Sequence, residues 1–277
     1  MTIFLEDKCL KSELPNKIIQ LMESVGWENI SSDLATDNYV MQSNGEQGDK
    51  DLVFQFRATA VNNTNDITST TAFAMSYRLI NGYTPSETPD TAGVFERPNE
   101  TWRIMNIASG VVDPSVELNL WYTVNKDRII LNIYTPESLN LLPVMIYIGL
   151  PTHYTSEPKS RGLVVLTSYA STTANVVMAS DTVAELPSLS AGTTFTTLYS
   201  LAPKSPNSAG LHTPCELFYG NAQVGIRGKI DSLYFLPNNS INDGDILKLG
   251  ANRYRATNLG ISGNNCFPSN VIIYRIS

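Results

Sequence analysis

Side chains suited to acid–base or metal chemistry near neutral pH are scarce in this sequence of 277 residues. The two histidines, His153 and His212, are isolated and lie beside prolines, so a surface-loop role is more plausible than catalysis. No His-x-x-x-His or Cys-x-x-Cys spacing supports a zinc site. The three cysteines, Cys9, Cys215 and Cys266, are odd in number and far apart. This predicts free thiols and folding in a cytoplasm.

Short matches to catalytic motifs are incomplete. Ser156 and Lys159 fit a Ser-x-x-Lys pattern, but its Lys-Thr-Gly and Ser-Asp-Asn companions are missing, and no Gly-x-Ser-x-Gly elbow is present. Glu96, Glu100 and Glu117 could form a glycosidase carboxylate pair only if the fold brought two of them together. The sequence therefore predicts a protein that is not an enzyme and has no catalytic residue, cofactor or metal.

Residues 239–250 resemble a calcium-binding loop because Asp243, Gly244 and Asp245 are acidic and centred on glycine. Aligning Gly244 with the invariant glycine of such a loop places Ile241 where an oxygen ligand belongs. The same alignment places Gly250 where a bidentate glutamate belongs. A turn between two strands explains these residues better than a calcium site.

Aromatic side chains beside polar segments are the best candidates for binding. They could fill a pocket of a partner protein or stack on sugars. Trp121 lies opposite the apolar face of its strand, so it faces either a second layer or solvent. The predicted interface residues are Phe95, Trp102, Trp121, Tyr154, Phe195 and Tyr199.

Composition limits the classes of partner. Charged residues are 16% of the chain, against about a quarter in average domains, and the net charge is -7. An acidic surface repels phosphate backbones, so no nucleic-acid partner is expected. The N-terminus does not resemble a signal peptide, and no apolar run approaches the roughly 18 residues of a membrane helix. No membrane association is expected either.

One segment has helical periodicity. Apolar residues at 14, 18, 21, 22 and 25 predict a helix over residues 14–25, with Ser12 as a candidate cap and Pro15 in the first turn. Gly26 suits a left-handed end to this helix. Trp27 is expected to fill the junction between the helix and a sheet.

Most of the remaining chain alternates between short strands and turns. Residues 117–134 give the clearest hairpin, with alternating apolar positions on both strands. Segments 81–115 and 180–214 are rich in proline and small polar residues, and we interpret them as long loops that contact neighbouring subunits. The predicted class is α+β, predominantly antiparallel β (sandwich- or barrel-like sheets) with one N-terminal helix. The predicted division is 1–180, a helix plus β domain; 181–214, a linker; and 215–277, a C-terminal β-hairpin unit.

Several segments, in this order, resemble virion structural proteins of tailed bacteriophages. They are the helix followed by Gly26 and Trp27, the polar turn 43–49 before strand 52–57, segments 125–130 and 146–149, and the Gly-Asp hairpin 244–254. The resemblance implies a component of the neck, tail or baseplate that acts through protein–protein interfaces. It implies other virion proteins as partners, a homo-oligomeric or multi-copy state in a symmetric assembly, and location in the virion after folding in the host cytoplasm. The alternative is a tail module that binds a host surface glycan or receptor.

Overall fold

The structure of the chain is a computed structural model. The described residues are 3–32, 34, 38–57, 74–80, 82–88, 91, 93–96, 103–106, 113–139, 143–154, 164–167, 175–178, 214–221, 225–236, 241–258 and 271–277. Among the predicted interface residues, Trp102, Phe195 and Tyr199 lie outside this set.

Within the described residues, the elements are one α-helix and nineteen strands, with short 3₁₀ turns at Lys11–Glu13 and Glu137–Leu139. The helix is α1 (Leu14–Glu23). The strands are β1 (Ile3–Leu10), β2 (Glu28–Asn29), β3 (Asn38–Ser43), β4 (Leu52–Arg57), β5 (Ala74–Leu79), β6 (Gly82–Thr84), β7 (Val94–Glu96), β8 (Arg103–Asn106), β9 (Glu117–Asn125), β10 (Arg128–Tyr134), β11 (Val144–Gly149), β12 (Thr152–His153), β13 (Val164–Thr167), β14 (Asn175–Met178), β15 (Cys215–Asn221), β16 (Gly225–Leu236), β17 (Ile246–Leu249), β18 (Asn252–Asn258) and β19 (Val271–Arg275).

The predicted helix is confirmed, and its apolar face is buried at Leu14, Ile18, Leu21 and Met22. Its start differs from the prediction, because Glu13 is the N-cap residue and makes no side-chain capping bond, so Ser12 is not the cap. The turn at Lys11–Glu13 lies between β1 and the helix and takes the place of a capped start. Gly26 has φ +92°, the left-handed conformation expected after a helix end.

A central sheet with strand order β1-β9-β10-β11-β13-β14 contains the predicted hairpin. Alternate residues of β9 and β10 face opposite sides, as strand geometry requires. One side, which includes Leu120, Tyr122 and Leu131, forms a single core with α1 and with the sheet β2-β3-β4-β5-β8. We call that second sheet the first outer sheet. Trp27 fills the junction, fully buried, and its Nε1 donates to the Asn125 carbonyl at 3.0 Å.

The other side of the central sheet faces the second outer sheet, which has order β12-β16-β19-β18-β17, with β15 also paired to β16. Hydrogen bonds join these two sheets. Thr123 Oγ1 donates to the Arg275 carbonyl at 3.1 Å, and Arg128 Nη1 donates to Ser232 Oγ at 3.0 Å. The central sheet is therefore covered on both faces, and the three sheets form three layers.

The predicted class, α+β with mainly antiparallel sheets and one N-terminal helix, is confirmed. The interpretation of 81–115 as one long loop is wrong. This segment contains β6 and β7, which pair with each other, and β8, which pairs with β5. Segment 180–214 lies almost wholly outside the described residues. The division at 181–214 stays a prediction, and β12, from the first part, pairs with β16 from the last.

Candidate functional site

Phe95 anchors the small hairpin of β6 and β7 on the first outer sheet. Its ring centroid is 4.5 Å from that of Tyr83, and the guanidinium carbon of Arg78 lies 4.5 Å from the Phe95 centroid. Tyr83 and Phe95 pack with Val40 and Val53 of that sheet. The structure thus places Phe95, predicted as an interface residue, in a half-buried contact within the chain.

Trp121 faces the second outer sheet, which is one of the two positions the sequence left open. The guanidinium carbon of Arg255, on β18, lies 3.8 Å from the Trp121 ring centroid and 5.9 Å from that of Tyr134. Arg255 is only 7% exposed. A guanidinium stacked on an aromatic face and shielded from water gains cation–π stabilisation. Trp121 therefore contributes to the contact between two layers.

The residues around Arg255 form a hydrogen-bonded cluster. The Tyr134 hydroxyl donates to Asp243 Oδ1 at 3.1 Å and lies 3.2 Å from Thr257 Oγ1. Burial raises the pKa of the Tyr134 hydroxyl well above its usual range, and the nearby Asp243 carboxylate raises it further. This neutral, fixed hydroxyl holds the turn at Asp243 against the central sheet.

In residues 239–250, the segment that resembles a calcium-binding loop, the Asp243 and Asp245 carboxylates accept backbone hydrogen bonds. Asp243 Oδ1 also accepts the Asn258 amide at 2.8 Å, and Asp245 Oδ2 accepts the Asn242 amide at 2.7 Å. Gly244 adopts φ +86°, as a tight turn requires. Within the part of the chain that the structure describes, no three His, Cys, Asp or Glu side chains are grouped to hold a metal. No helix of the described residues is long and apolar enough to cross a membrane.

The other candidate catalytic residues are not brought together among the described side chains. Glu117 forms an ion pair with Lys8, with 2.7 Å between Oε1 and Nζ. The side chains of His153 and Glu96 are outside the described set, as are residues Glu100, Ser156, Lys159 and His212.

Among the three predicted interface residues that the structure describes, Tyr154 is the most open to solvent, with 54% of its surface exposed. It follows β12, the strand that pairs with β16 beside a group of charged side chains. Lys229 Nζ lies 2.7 Å from Glu216 Oε1, and this hydrogen bond raises the pKa of the lysine. Thr152 Oγ1 donates to Asp231 Oδ2 at 2.5 Å. An exposed ring beside paired polar groups has the chemistry of a sugar-binding surface.

The outer edge of β1 was missed by the sequence reasoning. β1 pairs with β9 on one side, and among the described strands none pairs with its other side. Leu5 and Leu10 are 50% and 37% exposed, and among the side chains whose burial is described no other strand has two large exposed apolar residues. Ile3–Leu10 gives no period-2 signal for a strand, because it reads as three apolar, three charged and two apolar residues.

A groove of about 290 Å³ runs between this edge and α1. Its lining residues are Lys8, Cys9, Glu13, Asn16, Lys17 and Gln20. The Cys9 thiol is buried within the core, and burial raises its pKa to about 11, so it is neutral and unreactive at pH 7. The groove is thus a polar channel beside an open strand edge and not a thiol active site.

A second groove, of about 270 Å³, lies where the β9–β10 turn meets the loop after β3. Ser43 Oγ donates to the Lys126 carbonyl at 2.7 Å, and the Glu46 amide donates to Asp127 Oδ1 at 2.9 Å. These bonds join the hairpin tip to the first outer sheet. The groove is lined by both lysine and carboxylate side chains, so its charge favours neither an anionic nor a cationic ligand.

No protein-family model matches this chain, and a search of curated protein sequences finds no relative.

Proposed function

We propose that this chain is a non-enzymatic structural subunit of a larger assembly and that it acts through protein–protein interfaces. The observation that carries the proposal is the open edge of β1. This strand has eight residues, two of them exposed leucines, at the margin of a sheet whose two faces are both covered.

An open strand edge is a template for another strand, because its outward amides and carbonyls are free to pair. In strand addition, main-chain hydrogen bonds supply affinity and alternate side chains supply specificity. The central sheet cannot gain a further layer on its covered faces. It can extend only laterally, at β1 or at β14, and β1 is the margin with described exposed leucines.

The assembly that we propose is a tailed-phage virion, with the chain in the tail, baseplate or neck beside other virion proteins. The resemblance in the order of its N-terminal, middle and C-terminal segments supports this setting. Its low charge and its uncharged polar loops suit packing of many identical copies.

The test is incorporation into particles. A C-terminally tagged chain is produced during particle assembly, and its amount is measured in density-purified particles. We expect the tagged wild-type chain to be incorporated and Leu5→Lys to be incorporated at least tenfold less. The control is Ile246→Lys, which alters an exposed apolar residue on a different edge strand and is expected to leave incorporation unchanged. Failure of the wild-type chain to enter particles would refute the proposal.

A second candidate function is binding of a host surface glycan, and the exposure of Tyr154 favours it. Calorimetric titration with host cell-wall fragments tests this role. Saturable binding that is lost in Tyr154→Ala, or in Trp102→Ala as the sequence suggested, would favour the glycan-binding module. No binding by the wild-type chain would exclude it.

A further inference from the structure

We propose that two copies of this chain pair β1 with β1 in antiparallel orientation, around a twofold axis at Asp7, to form one continuous sheet. The proposal rests on the proposed function, because it names the partner of the strand edge that carries that function.

The backbone of β1 has hydrogen-bonding groups directed outward. The Lys11 amide donates to the carbonyl of Val116, directly opposite, at 2.9 Å. Hydrogen-bonded pairs alternate along an antiparallel ladder, so the amides of Cys9, Asp7 and Leu5 face β9. Those of Glu6, Lys8 and Leu10 therefore point to the open edge.

Two further bonds agree with this direction. The Leu10 amide donates to Glu13 Oε2 at 3.1 Å, and the Lys8 amide donates to Asp7 Oδ1 at 2.7 Å. Neither amide is in the ladder with β9. Both are satisfied only by flexible carboxylate side chains, which a partner strand can replace with main-chain carbonyls.

Symmetry restricts the register of the pairing. A twofold axis perpendicular to the sheet keeps each side chain on the same face in both copies. The hydrogen-bonded pairs between the two copies therefore join even-numbered residues, whose amides point to the open edge. Pairing around Asp7 sets Glu6 opposite Lys8 twice and Leu5 opposite Cys9 twice. Pairing around Glu6 would oppose two glutamates, and pairing around Lys8 would oppose two lysines. Opposite charges across strands stabilise a pair and like charges destabilise it. Of these three registers, only the one around Asp7 sets Glu6 opposite Lys8, and its one like-charge contact, Asp7 with Asp7, is offset because each Asp7 is ion-paired with Lys17.

The Asp7 register also uses the groove beside α1. Leu5 lies on the same face as Asp7 and Cys9, and Asp7 forms an ion pair with Lys17 of α1. The partner's Leu5 would lie opposite Cys9, next to the groove that Cys9 and Lys17 line. This placement would remove the half-exposed leucine from water. The two Asp7 carboxylates meet at the axis, and each is balanced by its own Lys17.

Sedimentation velocity of the full chain at increasing concentration tests for the dimer. Glu6→Lys places two lysines opposite each other and should weaken dimerisation at least tenfold. The variant Glu6→Lys, Lys8→Glu, Glu117→Lys exchanges the charges and keeps the ion pair between positions 8 and 117, so it should restore the wild-type dissociation constant within about threefold. Lys248→Glu, a charge reversal on the edge strand β17, is the matched control and should have no effect.

Cross-linking tests the register. In the Asp7 register, residue 7 forms a non-hydrogen-bonded pair with its own copy, where Cα atoms are about 4.5 Å apart. That distance permits a disulfide. In a background carrying Cys215→Ser and Cys266→Ser, Asp7→Cys should form a covalent dimer on mild oxidation. Lys8→Cys, treated identically, should not.

The outcomes separate this inference from the proposed function. A wild-type chain that stays monomeric up to roughly 100 μM would overturn the strand pairing. Coupling of Lys8→Cys in place of Asp7→Cys would overturn it as well. A monomer that still enters particles at a fixed ratio would leave the proposed function standing. A β1-paired dimer that never enters particles would refute the proposed function alone.

Discussion

Arg255 stacks on the face of Trp121, with its guanidinium carbon 3.8 Å from the ring centroid. The two residues belong to different sheets, β18 in the second outer sheet and β9 in the central sheet. Arg255 also lies against Gly244, where a Cβ atom would be 3.2 Å from Nη1. Arg255 of β18 therefore contacts both β9 and the turn at Gly244, where the central sheet meets the second outer sheet.

The Arg255–Trp121 contact predicts a measurable coupling energy. We expect Arg255→Met to lower the free energy of unfolding by about 2 kcal/mol, because a desolvated cation–π contact is lost. A double-mutant cycle with Trp121→Leu, read by urea denaturation, should give a coupling of about 1 kcal/mol or more. Arg253→Met, at an exposed position on the same strand, is the control and should change stability little. A coupling near zero would contradict the account.

Gly149 permits close approach between β10 and β11. A Cβ atom there would lie 2.4 Å from Arg128 Cβ, in the strand opposite. We expect Gly149→Ala to cost about 1–3 kcal/mol by overpacking. Gly250→Asn is the control, because its site is open and asparagine tolerates the left-handed conformation at φ +61°. Chemical denaturation of both variants checks this, and equal stability of the two would count against it.

Tyr147 predicts a loss of stability at alkaline pH. Burial raises the pKa of its hydroxyl to about 12, from an unfolded value of about 10. Below about pH 10 its hydroxyl is neutral in both states and adds no pH-dependent cost; stability falls as pH rises toward 12, because the unfolded chain releases the proton first. Tyr147→Phe should therefore flatten the stability profile between these values. A profile parallel to that of the wild type would contradict the assignment.

Tyr147→Phe also tests, at neutral pH, the cost of a buried hydroxyl that lacks a hydrogen bond. The Tyr147 hydroxyl is buried and has no hydrogen-bond partner among the described residues. An unsatisfied buried polar group costs about 1–3 kcal/mol, so Tyr147→Phe should equal or exceed the wild type in stability at pH 7. Thermal unfolding measures this directly. A loss above about 1 kcal/mol would contradict this prediction.

Limited proteolysis separates the two segments that the sequence marked as loops. The Tyr83–Phe95 contact and the pairing of β6 with β7 should make residues 82–96 resistant in the isolated chain. The prediction for 180–214 rests on its sequence alone: early cleavage in the isolated chain and protection in the assembly. Protection of 180–214 in the isolated chain would show that it is not an intersubunit contact.

The sequence predicted the elements whose signals are local. The helix at Leu14–Glu23, its left-handed end at Gly26 and the β9–β10 hairpin all follow from periodicity and turn chemistry within a few residues. The faces of the hairpin were predicted correctly, including the position of Trp121 away from the apolar face.

Features that depend on distant residues could not be predicted. β1 has three charged residues in its middle, and its pairing with β9 joins segments far apart in sequence. Arg255 gives no local sign that it meets Trp121, because that contact exists only after two sheets have packed. Strands β6, β7 and β8 were hidden by proline and small polar residues, which favour a loop by composition. That β1 is an edge strand, and so a possible binding surface, could be recognised only once the order of strands in the sheet was known.

The central claim is that the chain is a structural subunit of a particle, and quantitative mass spectrometry of purified particles tests it most directly. We predict that peptides of this chain are present at a constant molar ratio to the other particle proteins across preparations and after high-salt washing. The β1 pairing further predicts an even copy number. Absence of the chain from particles, or a trace amount that varies between preparations and is removed by washing, would contradict the account.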